Sequence, residues 1–120
     1  MESKADSATT ALAQRKCVPC AGGTPKLTSQ ETEGLLGQVS GWTLDNERLT
    51  KALKFKDFVA LMVFVNRMAE VAEQEGHHPD FTVHYNQLDV AIWTHAVGGL
   101  TESDFILAAK IDDLARQPVA

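Results

Sequence analysis

Glu73-Gln74-Glu75-Gly76-His77-His78-Pro79-Asp80-Phe81 is the stretch from which the fold and the chemistry are both read. Gly76 suits a helix C-terminal cap, because glycine takes the left-handed conformation there without steric penalty. Pro79 cannot continue a helix, and it restricts His78 to extended backbone. A helix therefore stops here and a strand starts. His77 and His78 fall just past the helix end, where the helix dipole favours an imidazolium by about 0.3–1 kcal/mol at an exposed site. Adjacent residues of an extended segment point opposite ways, so both rings cannot easily be buried structural histidines. Imidazole gives and takes protons near neutrality, and a histidine pair locked by a proline points to acid–base chemistry.

Working upstream, Asp57 is an N-cap, and Phe58, Leu61, Met62, Val65, Met68, Ala69 and Ala72 recur at helical spacing. This predicts one long helix with a broad apolar face. Thr28-Ser29-Gln30-Glu31 is a capping box that opens an earlier helix running to about Val39 and ending at Ser40-Gly41. Between the two helices, Trp42 to Leu44 and Leu49 to Phe55 alternate about an Asp45-Asn46 turn, the pattern of a β-hairpin.

Downstream, Phe81, Val83 and Tyr85 alternate with Thr82, His84 and Asn86 as a third strand, with Asn86-Gln87 as the turn. Leu88, Val90, Ile92 and Thr94 make a fourth strand with His95 at its end, before the Gly98-Gly99 break. Thr101-Glu102-Ser103-Asp104 starts a last helix with Leu107, Ala108, Ile111 and Leu114 facing inward. The order is helix, β-hairpin, long helix, β-hairpin, helix. That order predicts an α+β two-layer sandwich, a four-stranded antiparallel sheet packed against helices. One sheet face is left without cover in the chain, and a homodimer or homotetramer is the simplest way to cover it.

A chain of 120 residues with 44% apolar residues is expected to form one domain with a real core. A net charge of -5 argues against nucleic acid and anionic membranes as partners. No apolar run approaches the roughly 18 residues of a membrane span. Residues 1–24 are expected to be a flexible segment and residues 25–120 the folded domain. The N-terminal region lacks the apolar core of a secretory signal. The cytoplasm is the expected compartment. Arg15 and Lys16 leave an organellar transit remnant open, against which Glu2 and Asp6 count. Cys17-Val18-Pro19-Cys20 could be a redox couple or half a zinc site. A Gly-Gly-Thr-Pro loop follows and there is no second cysteine pair, so two reduced thiols are expected.

Among the other candidates, His95 sits beside a Gly-Gly loop at a strand end. Asp104 is placed to bond the backbone of its own cap, Thr101, and could also orient a histidine. Glu73 reads as a solvated helix residue and His84 as surface. His77 and His78 lack the helical spacing that sets two imidazoles on one face, so no metal is expected; a three-histidine zinc set is the alternative.

Taken together, Gly41-Trp42, Phe55-Lys56-Asp57-Phe58, Ala72-Glu73, His77-His78-Pro79, Tyr85, Thr94-His95, Gly99-Leu100-Thr101 and Asp104 resemble the pterin-4a-carbinolamine dehydratases, also known as dimerisation cofactors of a hepatocyte transcription factor. The resemblance spans roughly residues 28–114. It implies two hairpins in one sheet backed by helices, dimers or tetramers, and dehydration of 4a-hydroxytetrahydropterin to quinonoid dihydropterin without a metal or organic cofactor. By position it makes His77, His78 and His95 the active-site imidazoles. His77, His78, Pro79, Thr94, His95, Ala96 and Val97 would bind substrate, with Glu73 and Asp104 in support. Phe81 departs from the family pattern, where many members carry tryptophan. Two other functions stay open: a protein-binding module that stabilises a partner's dimer, and a pterin carrier or salvage protein in molybdopterin metabolism.

Overall fold

In the computed structural model, residues 12–17 and 25–117 are described. Helix α1 (Ser29–Leu36) leads to strands β1 (Thr43–Asp45) and β2 (Arg48–Lys54), then helix α2 (Phe58–Glu75). Strands β3 (Asp80–His84) and β4 (Gln87–Ile92) follow, then a 3-10 turn (His95–Val97) and helix α3 (Glu102–Arg116). The sheet is antiparallel throughout, in the order β1-β2-β4-β3. The expected α+β sandwich is therefore the observed fold.

Local chemistry explains where most elements begin and end. Thr28 and Glu31 form the reciprocal capping box of α1. Asp57 caps α2 by accepting the Ala60 N–H at 2.8 Å. The first hairpin closes on Asn46 and Glu47, one residue past the expected Asp45-Asn46, because Asp45 still pairs with Arg48; both turn residues stand at positive φ (55° and 62°), the mirror-image turn whose twist matches a hairpin. The second hairpin turns at Tyr85 and Asn86 rather than at Asn86-Gln87. His84 pairs with Gln87, and Tyr85 stands at φ 54° and is 68% exposed. Alternation of apolar residues is blind to a left-handed backbone, which is why Tyr85 reads as strand.

Two helix faces also differ from expectation. Helix α2 buries Leu61, Phe64, Val65, Met68 and Ala72, while Phe58 is 47% exposed. The stripe is turned so that Phe64, not Phe58, packs on the sheet side against Phe55, with ring centroids 5.2 Å apart. Helix α3 is buried nearly all round from Ser103 to Ala109, because it packs on α2, α1 and residues 12–17 as well as on the core.

The helix side of the sheet carries a buried charge cluster. Asp112 of α3 accepts from Trp42 Nε1 (2.9 Å), Lys51 Nζ (2.8 Å) and the Ser40 N–H (3.0 Å). Lys51 also donates to the Ser40 carbonyl at 2.7 Å. A lysine on the inward-facing side of β2 is thereby tolerated, since the buried charge is paired and hydrogen-bonded. The opposite face of the sheet is polar and holds a shallow cleft of about 660 Å³ lined by Arg48, Thr50, Ala52, Asp80, Thr82 and Asp89.

Residues 12–17, expected to belong to a flexible tail, pack on the domain. Leu12 is 1% exposed and Cys17 is 8% exposed, both within the core cluster. Cys20, the other half of the Cys-x-x-Cys motif, lies outside the described residues. Burial, reinforced by Glu75, pushes the Cys17 thiol from 9.0 up to about 12. A thiol so raised is a poor nucleophile.

Two expectations follow. Asp112→Ala strips one acceptor from three donors and leaves Lys51 without its buried partner. It should lower unfolding free energy by about 3 kcal/mol in urea titration, and a loss below about 1 kcal/mol would contradict the assignment. For Cys17, the folded value lies above the unfolded one. Its contribution to stability is therefore whole below 9.0 and is lost progressively towards about 12. In a Cys20→Ser background, Cys17 should react with a disulfide reagent at pH 8 at least a hundredfold more slowly folded than unfolded. Equal rates would show an accessible thiolate.

Candidate active site

Three chain segments meet at the buried carboxylate of Asp104. The first comes from the end of α2, where Gly76 takes the left-handed conformation (φ 64°, ψ 26°). The Gly76 and His77 amides both return to the Ala72 carbonyl, so the chain leaves the helix in a fixed direction. His77 Nε2 lies 2.6 Å from Asp104 Oδ1, with the two side chains 13% and 0% exposed. The second comes from the end of β4. Thr94 Oγ1 donates to Asp104 Oδ2 at 2.8 Å and shares a 2.8 Å hydrogen bond with Thr101 Oγ1. The third is the start of α3, where the Thr101 N–H donates to Asp104 Oδ2 at 2.8 Å.

This complement of donors assigns the His77 tautomer. A carboxylate only accepts, so His77 donates through Nε2–H and presents Nδ1 as the ring's free lone pair. If Nδ1 takes a proton, the adjacent carboxylate stabilises the imidazolium, as the buried aspartate of a catalytic triad does. The capping role expected of Asp104 is present, and the contact to His77 is additional to it.

His95 follows Thr94 directly and opens the 3-10 turn instead of ending a strand. It is exposed, and its ring packs on Trp93 with centroids 4.3 Å apart at 36°. The Arg48 guanidinium covers the same indole at 4.2 Å from its centroid. Trp93 and Arg48 were not singled out from the sequence. Trp93 could have been found, because it shares the period-2 face of His95. Arg48 could not, because its position beside Trp93 depends on the pairing of Leu49 with Ile92, one step away.

The other candidates divide. His78 Nε2 pairs with Glu73 Oε2 at 2.7 Å, both side chains mostly exposed, so Glu73 is more than a solvated helix residue. Such a pair orients the ring but adds little stability. Pro79 and Val97 are half-buried and Ala96 is exposed. Thr94 is 5% exposed, with its hydroxyl engaged by Asp104 and Thr101. It stands behind the histidines rather than on an open surface. His84 pairs with Asp89 at 3.3 Å on the exposed sheet face, away from this cluster. Among the described residues, no group of three or more His, Cys, Asp or Glu has metal-binding geometry. No helix among them is long and apolar enough to cross a membrane.

Comparison with known proteins converges on one family. The model of the family described as Pterin 4 alpha carbinolamine dehydratase matches residues 25–114. A protein of Nitrosomonas eutropha that provisionally carries the name pterin-4-alpha-carbinolamine dehydratase is 52% identical over 104 residues, covering 86% of this chain and 92% of its own. A Rickettsia bellii protein of the same provisional name is 49% identical over 106 residues, covering 87% and 94%. Among solved structures, a transcriptional coactivator/pterin dehydratase from Brucella melitensis superposes with a TM-score of 0.73 at 35% identity, over 76% of this chain and 99% of that one. The chain belongs to the pterin-4-alpha-carbinolamine dehydratase family. The fold extends to a pterin dehydratase-like RuBisCO assembly factor of the alpha-carboxysome, at 20% identity and a TM-score of 0.54 over 64% of this chain and 89% of that one.

Proposed function

We propose that this protein dehydrates a 4a-hydroxytetrahydropterin to the quinonoid dihydropterin and water by histidine acid–base catalysis. The observation that carries this reading is the His77–Asp104–Thr94 network, which leads directly into His95, within the stretch that matches the family. The reaction breaks the C4a–O bond, and its electron pair leaves with the oxygen. The N5–H bond also breaks, and its pair becomes the C4a=N5 double bond. One proton must be delivered to the departing hydroxyl and one removed from N5.

His77 is the base in this scheme. Its Nε2–H is held by Asp104, Nδ1 is free to accept, and the carboxylate offsets the charge that develops. His95 is the acid. As an imidazolium it protonates the leaving hydroxyl, and Trp93 under Arg48 fixes its ring. His78, oriented by Glu73, binds and positions substrate, and Pro79, Ala96 and Val97 contribute to binding it. Thr94 acts through Asp104 rather than on the pterin. A substrate of this kind would be the spent cofactor of an aromatic amino-acid hydroxylase. No step calls for a metal or an organic cofactor.

The test is the dehydration rate of freshly generated 4a-hydroxytetrahydropterin with the wild type, His77→Ala and His95→Ala. Each substitution should lower kcat by about 10²–10⁴-fold, the usual range for general acid–base help. Both variants should stay folded: His95→Ala should keep the wild-type unfolding transition, and His77→Ala should unfold at lower urea because the buried Asp104 loses one of its donors. Undiminished turnover in either removes that residue from the mechanism. Tight pterin binding by a folded wild type that accelerates nothing would favour a carrier.

A further inference from the structure

Glu75 breaks a local rule. It is the last residue of α2, where the negative end of the helix dipole disfavours a carboxylate. Its side chain is only 5% exposed. What compensates lies almost wholly outside the helix. The Cys17 N–H donates to Glu75 Oε1 at 2.8 Å, and Lys110 and Lys16 bring their ammonium groups to 3.6 and 3.7 Å from Oε2. Burial alone would push this carboxyl up, but the Cys17 amide, Lys110 and Lys16 outweigh it and hold it below the usual carboxylate value. Lys110 in turn donates to the Ala13 carbonyl at 2.6 Å.

The same short segment reaches the other partner of the active-site pair. Cys17 Sγ–H donates to the carbonyl of Ser103, the residue before Asp104, at 3.4 Å. Arg15 forms an ion pair with Glu102, one residue further back. Leu12 anchors the segment in the core at 1% exposure. Residues 12–17 thus bond to Glu75, two positions before His77, and to Ser103, one position before Asp104. They lie outside the 25–114 region that matches the family model.

We propose that Glu75 is a positioning residue for His77, and that residues 12–17 form the strap that holds it, fixing the backbone on both sides of the His77–Asp104 contact from behind. This rests on the assignment of His77 as a reacting group for its consequence in catalysis, but not for its consequence in structure. The strap restrains the turn that carries His77 and the first turn of α3. Its release should loosen those two places more than the sheet.

The test uses the full chain with Leu12→Asp, which places a charge in the core position of the strap, and Leu12→Met, which keeps the position apolar. Glu75→Gln keeps an acceptor for the Cys17 amide and removes the attraction for Lys16 and Lys110. Three quantities are read: native-state amide exchange, global stability in urea, and kcat and KM for dehydration. In Leu12→Asp the His77 and Asp104 amides, bonded to Ala72 and Thr101, should exchange at least tenfold faster relative to the Val90 amide in the sheet. The kcat should fall about tenfold with KM within twofold, and Leu12→Met should leave exchange and kcat at wild-type values. Glu75→Gln should show the same pattern at smaller size, and decides the matter if Leu12→Asp does not fold. Exchange at His77 and Asp104 that changes only in step with Val90, or not at all, overturns the proposal. If the wild type has no dehydratase activity, the function fails separately and the exchange pattern still decides whether the strap exists.

Discussion

The Asp104 carboxylate, fully out of solvent, is the constraint from which the site follows. A buried carboxylate is strongly destabilising unless its lone pairs are answered by donors. Here the donors come from three elements: the end of α2 through His77, the end of β4 through Thr94, and the cap of α3 through Thr101. Satisfying one acceptor therefore fixes the relative placement of three elements. The same contact that lets the domain bury an acid sets the direction and tautomer of His77. In the proposed mechanism stability and chemistry share the interaction, so a substitution at Asp104 should disturb both.

Helix α3 is held at two points by the same physics. Asp104 in its first turn gathers the segments of the candidate site. Asp112 further along gathers Trp42, Lys51 and the Ser40 amide on the side of the first hairpin. Between them the helix is almost completely buried and, Lys110 apart, apolar. The sheet supplies a rigid floor, and the catalytic candidates sit on the turns at the edge of that floor. Gly76 and Gly98, both in the left-handed conformation, end the two turns that present His77 and His95.

Much of this architecture was legible in the residues because it rests on local rules. Both capping boxes, the helix stop at Gly76 and Pro79, and the two hairpins follow from side chains within a few positions of one another. What was not legible depends on contacts distant in sequence or on backbone sign. The α2 stripe can be drawn through Phe58 or through Phe64 with almost the same helical period, and only the sheet selects Phe64. Tyr85 alternates like a strand residue but turns the chain. Arg48 meets Trp93 because of strand register. Glu75 looks like a solvated helix-end acid until residues 12–17 are seen to lie against it. For the site, Asp104 was readable as a cap, and its second oxygen as a candidate partner for a histidine. The family resemblance makes Thr94 part of the pocket lining, whereas its hydroxyl faces inward to Asp104.

The proposed role of His77 depends most directly on the protonation pattern of its ring. Nitrogen-15 NMR of the histidine side chains, with His77 assigned by its loss in a His77→Gln variant, reports which nitrogen carries the proton in the neutral form. The hydrogen bond to Asp104 predicts that His77 is the Nε2–H tautomer, with an unprotonated Nδ1 as the proposed base. A His77 that is mainly the Nδ1–H tautomer, or an even mixture of the two, would contradict the central claim that Asp104 holds and orients it.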